Sequence, residues 1–427
     1  MVALAPLLAR LEQEGIRLGL EATRSLLAAL GDPQHRFPSV LVAGTNGKGS
    51  TAALLASILD AAGLRTGLYT SPHLEHPGER IRIGGRPLSP AALGRLVAEV
   101  TAAGARTPTY FEAMTAAAFL AFARRRVDLA VVEVGMGGRL DATNLADPVL
   151  SVVTAIDLDH REHLGDSLGA IAREKAGVLR AGRPALALAG PAEAAAALAE
   201  RAAELGADLV DLSPWLGEVR FLAEGWEGQR LEVATPAGRR RLALALAGRH
   251  QAANLLLAVH AAERLAEAGW RSIGREAIRR GVAAARWPGR LESVTVPGGR
   301  RRVLLDAAHN PGGAARLAEF LAARTGRGTI LFGAVGDKDA AGMLGPLAPF
   351  AERFVLTEPD SPRARPAAEL AALLPAGLPV AVEPRRGRAL AAALAARSPL
   401  TVVCGSIYLL GDIRRRLRRR IGLPPPP

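Results

Sequence analysis

The apolar run Ser39-Val-Leu-Val-Ala43 passes without a break into Gly44-Thr-Asn-Gly-Lys-Gly-Ser50, and a helical pattern follows over 50–62. Few folds accept that order. A strand with no polar face must be covered on both sides, as in a parallel sheet flanked by helices. Gly44, Gly47 and Gly49 allow a loop whose backbone N–H groups point inward as an anion nest. The following helix presents its positive end to the same point. Lys48 is placed to bridge the β- and γ-phosphates of a nucleotide, and Ser50 to face magnesium. The spacing departs from the common GxxxxGK[ST], because a glycine separates Lys48 from Ser50 and Val42 stands where the first glycine would be. The competing reading is a glycine-rich helix entry that binds nothing. Strand, helix and lysine together favour nucleotide binding.

The rest of the chain repeats the alternation. Apolar runs at 66–70, 128–135, 150–156 and 184–189 are separated by helical patterns at 111–125 and 168–179, which predicts an α/β fold with a mainly parallel sheet. Residues 208–247 break the rhythm, with EVRFLAEG and QRLEVAT reading as antiparallel strands. Helices are expected at 251–268 and 273–284. The Pro/Gly-rich stretch 287–299 marks a domain boundary. A second alternation at 302–309, 329–336, 353–358, 379–383 and 400–406 predicts a smaller Rossmann-like domain without a GxGxxG opening. The expected architecture is thus a P-loop NTPase-like, ATP-binding domain over 1–297 and a Rossmann-like domain over 298–427.

Composition narrows the function classes. A net charge of +13 invites a nucleic-acid reading, but the arginines are scattered and aromatics make up 4%, leaving few stacking platforms. The densest basic run, 414–420, reads as the solvated end of a last helix. No apolar run is long enough to span a bilayer. The start of the chain lacks a signal-peptide pattern, so a cytoplasmic location is expected. The lone Cys404 reads as a small buried residue. More telling, only three lysines occur (Lys48, Lys175, Lys338) and four asparagines (Asn46, Asn144, Asn254, Asn310). Arginine cannot replace a compact ammonium in a phosphate loop, nor an amine that must lose its proton. The surviving lysines and asparagines are therefore candidates for chemistry.

Several polar residues stand at strand ends. Glu133 closes the apolar run AVVE, where an acid facing a phosphate loop holds magnesium. Ser71 follows LYT, and His160 follows the run at 150–156; for the histidine, a metal-ligand role and a structural one stand level. Lys175 lies on a helix one element later. Zinc spacing and a GxSxG elbow are both absent, which points to ATP as the source of reactivity.

Ten blocks now fall into one order: VAGTNGKGS, LYTSPHL with ERIRI, TYFEAMTAAAF, VVEVGMGGRLDATN, LDHREHLGDSLGAIAREKAG, GRHQAAN, ARWPGRLE, LLDAAHNPGGA, DKDAAGM and CGSIYL. Over about residues 40–410 this closely resembles the bacterial folylpolyglutamate synthase/dihydrofolate synthase family, relatives of the Mur ligases. The resemblance implies an ATP-dependent ligase joining L-glutamate to dihydropteroate or to the γ-carboxylate of tetrahydrofolyl-glutamates. It implies that Thr45, Asn46, Gly47, Lys48, Gly49 and Ser50 hold ATP, with Asn254, Arg290 and Asp306 contacting the nucleotide and His309 and Asn310 beside them. Ser71, Glu133 and His160 resemble magnesium ligands, two ions being expected. Lys175 matches a lysine that this superfamily carbamylates to N6-carboxylysine. The pterin side would be lined by Thr109, Tyr110, Phe111, Glu112, Leu140, Asp141 and Ala142, with 17–19 as weaker candidates. The loop 75–81, EHPGERI, departs from the family's pattern and would shape the folate pocket. Expected partners are small molecules, with no nucleic acid or membrane, and a monomer. A Mur-type ligase acting on a UDP-sugar peptide, a nucleic-acid-dependent ATPase and a non-catalytic nucleotide sensor are the alternatives.

Overall fold

Alternation along a strand sends successive side chains to opposite faces, and the first strand shows how completely this chain uses both. In the computed structural model, which describes residues 4–296, 301–324, 326–336, 338–396 and 398–426, β1 (Ser39–Ala43) is buried at every position. Leu41 and Ala43 pack with Met114, Phe119 and Phe122 of the helix Tyr110–Arg125. Val40 and Val42 pack with Leu54 and Leu55 of the helix Lys48–Ala61 and with Leu255 of the helix Gln251–Glu267. Each fully buried Val, Leu or Phe contributes about 1.5–3 kcal/mol.

β2 (Thr66–Tyr69), β3 (Ile81–Ile83), β4 (Arg86–Pro87), β5 (Leu129–Glu133), β6 (Pro148–Val153), β7 (Pro184–Ala187) and β8 (Asp208–Asp211) complete an eight-stranded sheet ordered β4-β3-β2-β5-β1-β6-β7-β8. β3 and β4 run antiparallel at one edge and the other pairings are parallel. Residues 208–211 therefore extend the parallel sheet, whereas the sequence reading placed 208–247 wholly outside it. Asp at both ends of the short DLVD run hid the strand. An antiparallel meander follows, β9 (Arg220–Glu224), β10 (Gln229–Thr235) and β11 (Gly238–Leu244). Its Leu231, Val233, Leu242 and Leu244 cover the helix Gln251–Glu267.

The second domain is a six-stranded sheet. Its strands are β12 (Glu292–Thr295), β13 (Arg302–Leu305), β14 (Gly328–Phe332), β15 (Ala351–Leu356), β16 (Val380–Val382) and β17 (Leu400–Cys404), ordered β12-β13-β17-β14-β15-β16. Only β12 runs antiparallel. The expected junction between residues 297 and 298 lies outside the described residues, and β12 already pairs within the second sheet. The architecture is two α/β domains with parallel-rich sheets, and the carboxyl ends of β1, β2, β5 and β6 face those of β13, β14 and β17. Among the described residues no helix is long and apolar enough to cross a membrane.

The basic run 414–420 is not a solvated helix end throughout. It belongs to the C-terminal helix Ile407–Ile421, whose Arg414 is 1% exposed. Its guanidinium donates to Glu292 of β12 at 2.9 and 2.8 Å, and it also pairs with buried Glu75 of the first domain. Arg418 joins Glu75 at 3.2 Å. Gly411, one turn earlier, lies against the Leu74 carbonyl, with no room for a side chain between them. The atypical loop at 75–81 thus fastens the two domains to one arginine. Arg414→Ala would strand the buried Glu75 and the half-buried Glu292, a change of about 3–5 kcal/mol when one partner of a buried pair is removed. Urea unfolding should show a loss of that order; a shift near zero would mean the cluster holds nothing together.

Candidate active site

The phosphate loop is shaped by what crowds it. Gly44 and Gly47 have φ of 137° and 94°, a region that L side chains rarely adopt. A side chain on Gly44 would strike Thr154, and one on Gly47 would strike Asn254. The loop is held from below by Thr45, whose hydroxyl donates to the Asp157 carbonyl at 3.0 Å. Lys48 opens the following helix and turns its amine back to the Gly44 and Thr45 carbonyls, 3.0 Å from each. Burial pushes that amine below its ordinary value, with Glu133 opposing.

Lys175 reaches the same oxygen. Its Nζ donates to Gly44 O at 2.8 Å from the helix Leu168–Ala176. Burial, and then the charge of Lys48, bring it down to about 7. Glu133 ends β5 beside Val42 of β1, is 4% exposed, and accepts from the Ser71 backbone N–H at 2.9 Å. Burial raises its carboxyl while Lys48 opposes. Two lysines, one carboxylate and the Ser71 turn therefore meet at one strand edge.

The second domain supplies the facing wall. Asp306, just past β13, is fixed by N–H donors from Leu291 at 2.8 Å and Ala308 at 2.9 Å, and burial raises it against the pull of Arg290. Arg290 donates to Ala307 O at 3.4 Å. The His309 ring nitrogen Nδ1 lies 2.8 Å from Ala307 O, and burial lowers the imidazole to about 4. Asn310 caps the helix Pro311–Ala322 and donates to Asn46 of the phosphate loop at 3.2 Å. Asn254 accepts weakly from Thr51, 3.4 Å away. A small cavity of about 40 Å³ remains between Gly49, Ser71, Glu133, Trp287 and Arg290.

The sequence reading assigned no role to Lys338, although its scarcity was the available signal. Lys338 spans the cleft to Asp159 at 3.1 Å. Burial alone would raise Asp159, but His160 and Lys338 outweigh it and hold the carboxyl at about 2. All three lysines also act on His160, which burial lowers first and Asp159 opposes. The His160 ring is 41% exposed, starts the short helix Arg161–Leu164 in a left-handed conformation (φ 50°), and sits on a loop beyond β6 rather than at its end.

The residues named for a pterin divide. Thr109 and Glu112 are buried and spend their side chains on a capping box at the start of the helix Tyr110–Arg125. Asp141 is buried and accepts from Met136 N at 2.9 Å and Thr143 N at 3.0 Å. Phe111 and Asp141 approach each other across Gly135, two residues beyond Glu133. Tyr110 stacks under Arg80. Leu140 is half-buried and Ala142 buried. Arg17 lies apart at the surface, paired with Glu14 and the Thr107 carbonyl.

Among the described residues no three His, Cys, Asp or Glu side chains form a ready metal cage. The donor set still suits a hard cation that keeps phosphate and water ligands. Buried Glu133 and the half-buried Ser71 beside it face a loop shaped for anions, and the Thr154 hydroxyl next to that loop is buried without a partner. The donors fit a nucleotide with such a cation.

Comparison with known proteins agrees with this layout. Residues 42–262 match the Mur ligase middle domain, and residues 289–407 match the Mur ligase, glutamate ligase domain. The chain is 37% identical to the folylpolyglutamate synthase of Lacticaseibacillus casei, over 92% of this chain and 93% of that protein. It is 38% identical to a probable bifunctional folylpolyglutamate synthase/dihydropteroate synthase of Halobacterium salinarum, where 96% of this chain covers about half (51%) of the relative. Mycobacterium tuberculosis folylpolyglutamate synthase complexed with ADP and AMPPCP superposes with a TM-score of 0.86 at 32% identity, covering 99% of both chains. A bifunctional folylpolyglutamate synthase/dihydrofolate synthase with Mn, AMPPNP and L-glutamate bound gives 0.82 at 33% identity, covering 98% of both.

With Lys175 at about 7 when folded and 10.5 when unfolded, the unfolded chain binds the extra proton between those values. Stability should therefore rise with pH across that window, the burial penalty being fully present below it. Urea unfolding from about pH 7 to pH 9 should show that rise, and Lys175→Met should flatten it. Equal slopes in both proteins would mean that the amine is not desolvated.

Proposed function

This chain belongs to the folylpolyglutamate synthase/dihydrofolate synthase family of the Mur ligases, and from that premise we propose that it joins L-glutamate to dihydropteroate and to the γ-carboxylate of folyl-glutamates at the expense of ATP. The observation that carries this reading is the contact of the phosphate loop with the Asp306–Asn310 turn of the glutamate ligase domain, 3.2 Å between Asn46 and Asn310. Nucleotide and amino acid would meet only where those two walls face each other. The relatives named above carry folate-ligase names, which favours a pterin acceptor over a UDP-sugar peptide.

A carboxylate does not condense with an amine until it has a leaving group. In the first step a carboxylate oxygen attacks the γ-phosphorus of ATP, the bridging bond breaks, and ADP departs. Lys48 would leave its loop carbonyls to neutralise charge spreading over the transferred phosphoryl group. Ser71, Glu133 and His160 would hold a divalent cation, which would supply further charge neutralisation when bound. In the second step the amine of glutamate attacks the acyl carbon and inorganic phosphate leaves. His309, which burial lowers to about 4, would be neutral near pH 7, and with its Nδ1–H donated to Ala307 O its Nε2 could accept a hydrogen bond from the incoming amine and orient it. The cleft between the domains keeps water from the acyl phosphate.

Lys175 would act as its carbamate. A neutral amine adds to carbon dioxide, forming an N–C bond and releasing one proton. The product is an anion, able to face a second cation beside the loop. The support is the buried amine at about 7, sharing Gly44 O with Lys48.

Incubation with MgATP, L-glutamate and either acceptor should release phosphate and yield a product heavier by one glutamyl group. Lys48→Ala should lower turnover by about 10³-fold or more, the scale of losing a principal transition-state charge, with the fold unchanged by circular dichroism; near-normal turnover would remove the assignment. Lys175→Ala should lose activity that short carboxylic acids partly restore, and Lys175→Arg should stay inactive. A fully active Lys175→Arg would end the carbamate reading.

A further inference from the structure

Two guanidinium groups beside the active site lack a carboxylate. Arg80, just before β3, is 8% exposed. Its Nε donates to His73 Nδ1 at 3.0 Å, and its Cζ lies 5.0 Å over the Tyr110 ring. Among the described residues no acid pairs with it. Arg415, on the C-terminal helix one residue after the buried Arg414, is half-buried; its Nε is buried without a hydrogen-bond partner, and it lies within electrostatic reach of His73. The Tyr110 hydroxyl is likewise buried, without a hydrogen bond of good geometry and with Arg80 as its polar neighbour. A charge taken out of water without a counter-ion is costly, and here two of like sign come from different domains.

The nearby acids are committed elsewhere. Glu79 accepts from the backbone N–H groups of Leu74, Glu75 and His76 at 2.8–2.9 Å. Glu75 is taken by Arg414 and Arg418. Glu12 is exposed and acts on Tyr110 electrostatically. What these groups lack is an anion that arrives with the substrate.

We propose that Arg80, Arg415 and the Tyr110 hydroxyl bind the spectator α-carboxylate of a glutamyl acceptor while its γ-carboxylate is phosphorylated at the neighbouring phosphate loop. This rests on the ligase reading above and adds to it a basis for telling the two acceptors apart. A glutamyl group carries two carboxylates a few bonds apart, so one at Glu133 and Lys48 requires a second anion site close by. Arg80 meets that condition, being near enough to Glu133 to act on it electrostatically. Dihydropteroate has a single carboxylate, which the phosphate loop consumes, so it leaves the arginines unpaired. Because Arg415 belongs to the second domain, a glutamylated acceptor would also draw the two domains together.

The test compares dihydropteroate with dihydrofolate, which differ only by the glutamyl group, binding to the full chain loaded with magnesium and AMPPNP and measured by calorimetry. Wild type should bind dihydrofolate the more tightly. Arg80→Gln and Arg415→Gln should each weaken dihydrofolate roughly 10- to 100-fold, the factor for one charge-assisted hydrogen bond, and leave dihydropteroate within about twofold. Equal loss for both ligands, no loss for either, or a wild type that does not distinguish them would overturn the proposal. Should Arg80→Gln fail to fold, the half-buried Arg415→Gln decides alone. Because binding is read without turnover, a wild type that ligates neither acceptor defeats the ligase reading separately, and the calorimetry still judges the pocket.

Discussion

Two lysine amines share one carbonyl oxygen, that of Gly44, and much of the active centre follows from that sharing. Two ammonium ions so close, both buried, repel each other with little water to screen them. The chain settles the conflict by lowering both, and Lys175 far enough to be substantially neutral near pH 7. Glu133 is the counterweight on the adjacent strand. Its own burial would raise it, and Lys48, the Ser71 N–H, Arg290 and Arg80 draw it back. The loop is thus a balance in which each group is held away from its solution behaviour. Phosphate oxygens would relieve the two amines, and a divalent cation arriving with them would relieve the carboxylate.

The cleft repeats this logic between domains. Lys338 crosses to Asp159, Asn310 to Asn46, and Arg414 binds Glu75 to Glu292. The first two contacts lie at the carboxyl ends of the facing strands, beside the phosphate loop. The third lies at the β12 edge and is far more deeply buried. Such an arrangement suits domains that pivot on the buried cluster and open or close at the polar contacts.

How much of this could be read in the sequence depended on the kind of signal. The strands feeding the loop were legible because a sheet covered on both faces leaves uninterrupted apolar runs, and the limits of the helices around them agreed within three residues. Scarcity of lysine singled out Lys48, Lys175 and Lys338 alike, but only the first two stood beside a pattern that suggested a role. β8 was lost because its four residues carry an Asp at each end. The burial of Arg414 was illegible for a deeper reason: a run of arginines has one appearance whether its partners are water or two distant glutamates. Thr109 and Glu112 illustrate the converse. Their spacing marks a helix start as clearly as a ligand wall, and their hydrogen bonds serve the helix.

The clustering of every lysine around one cleft has a practical side. Reagents that attack primary amines find, apart from the chain's α-amino group, only Lys48, Lys175 and Lys338 among the 427 residues. Two of these amines are buried and the third is engaged across the cleft. Acylation of this protein is therefore a probe of the closed cleft itself, with nucleotide shielding its targets and the arginine-rich exterior contributing no background.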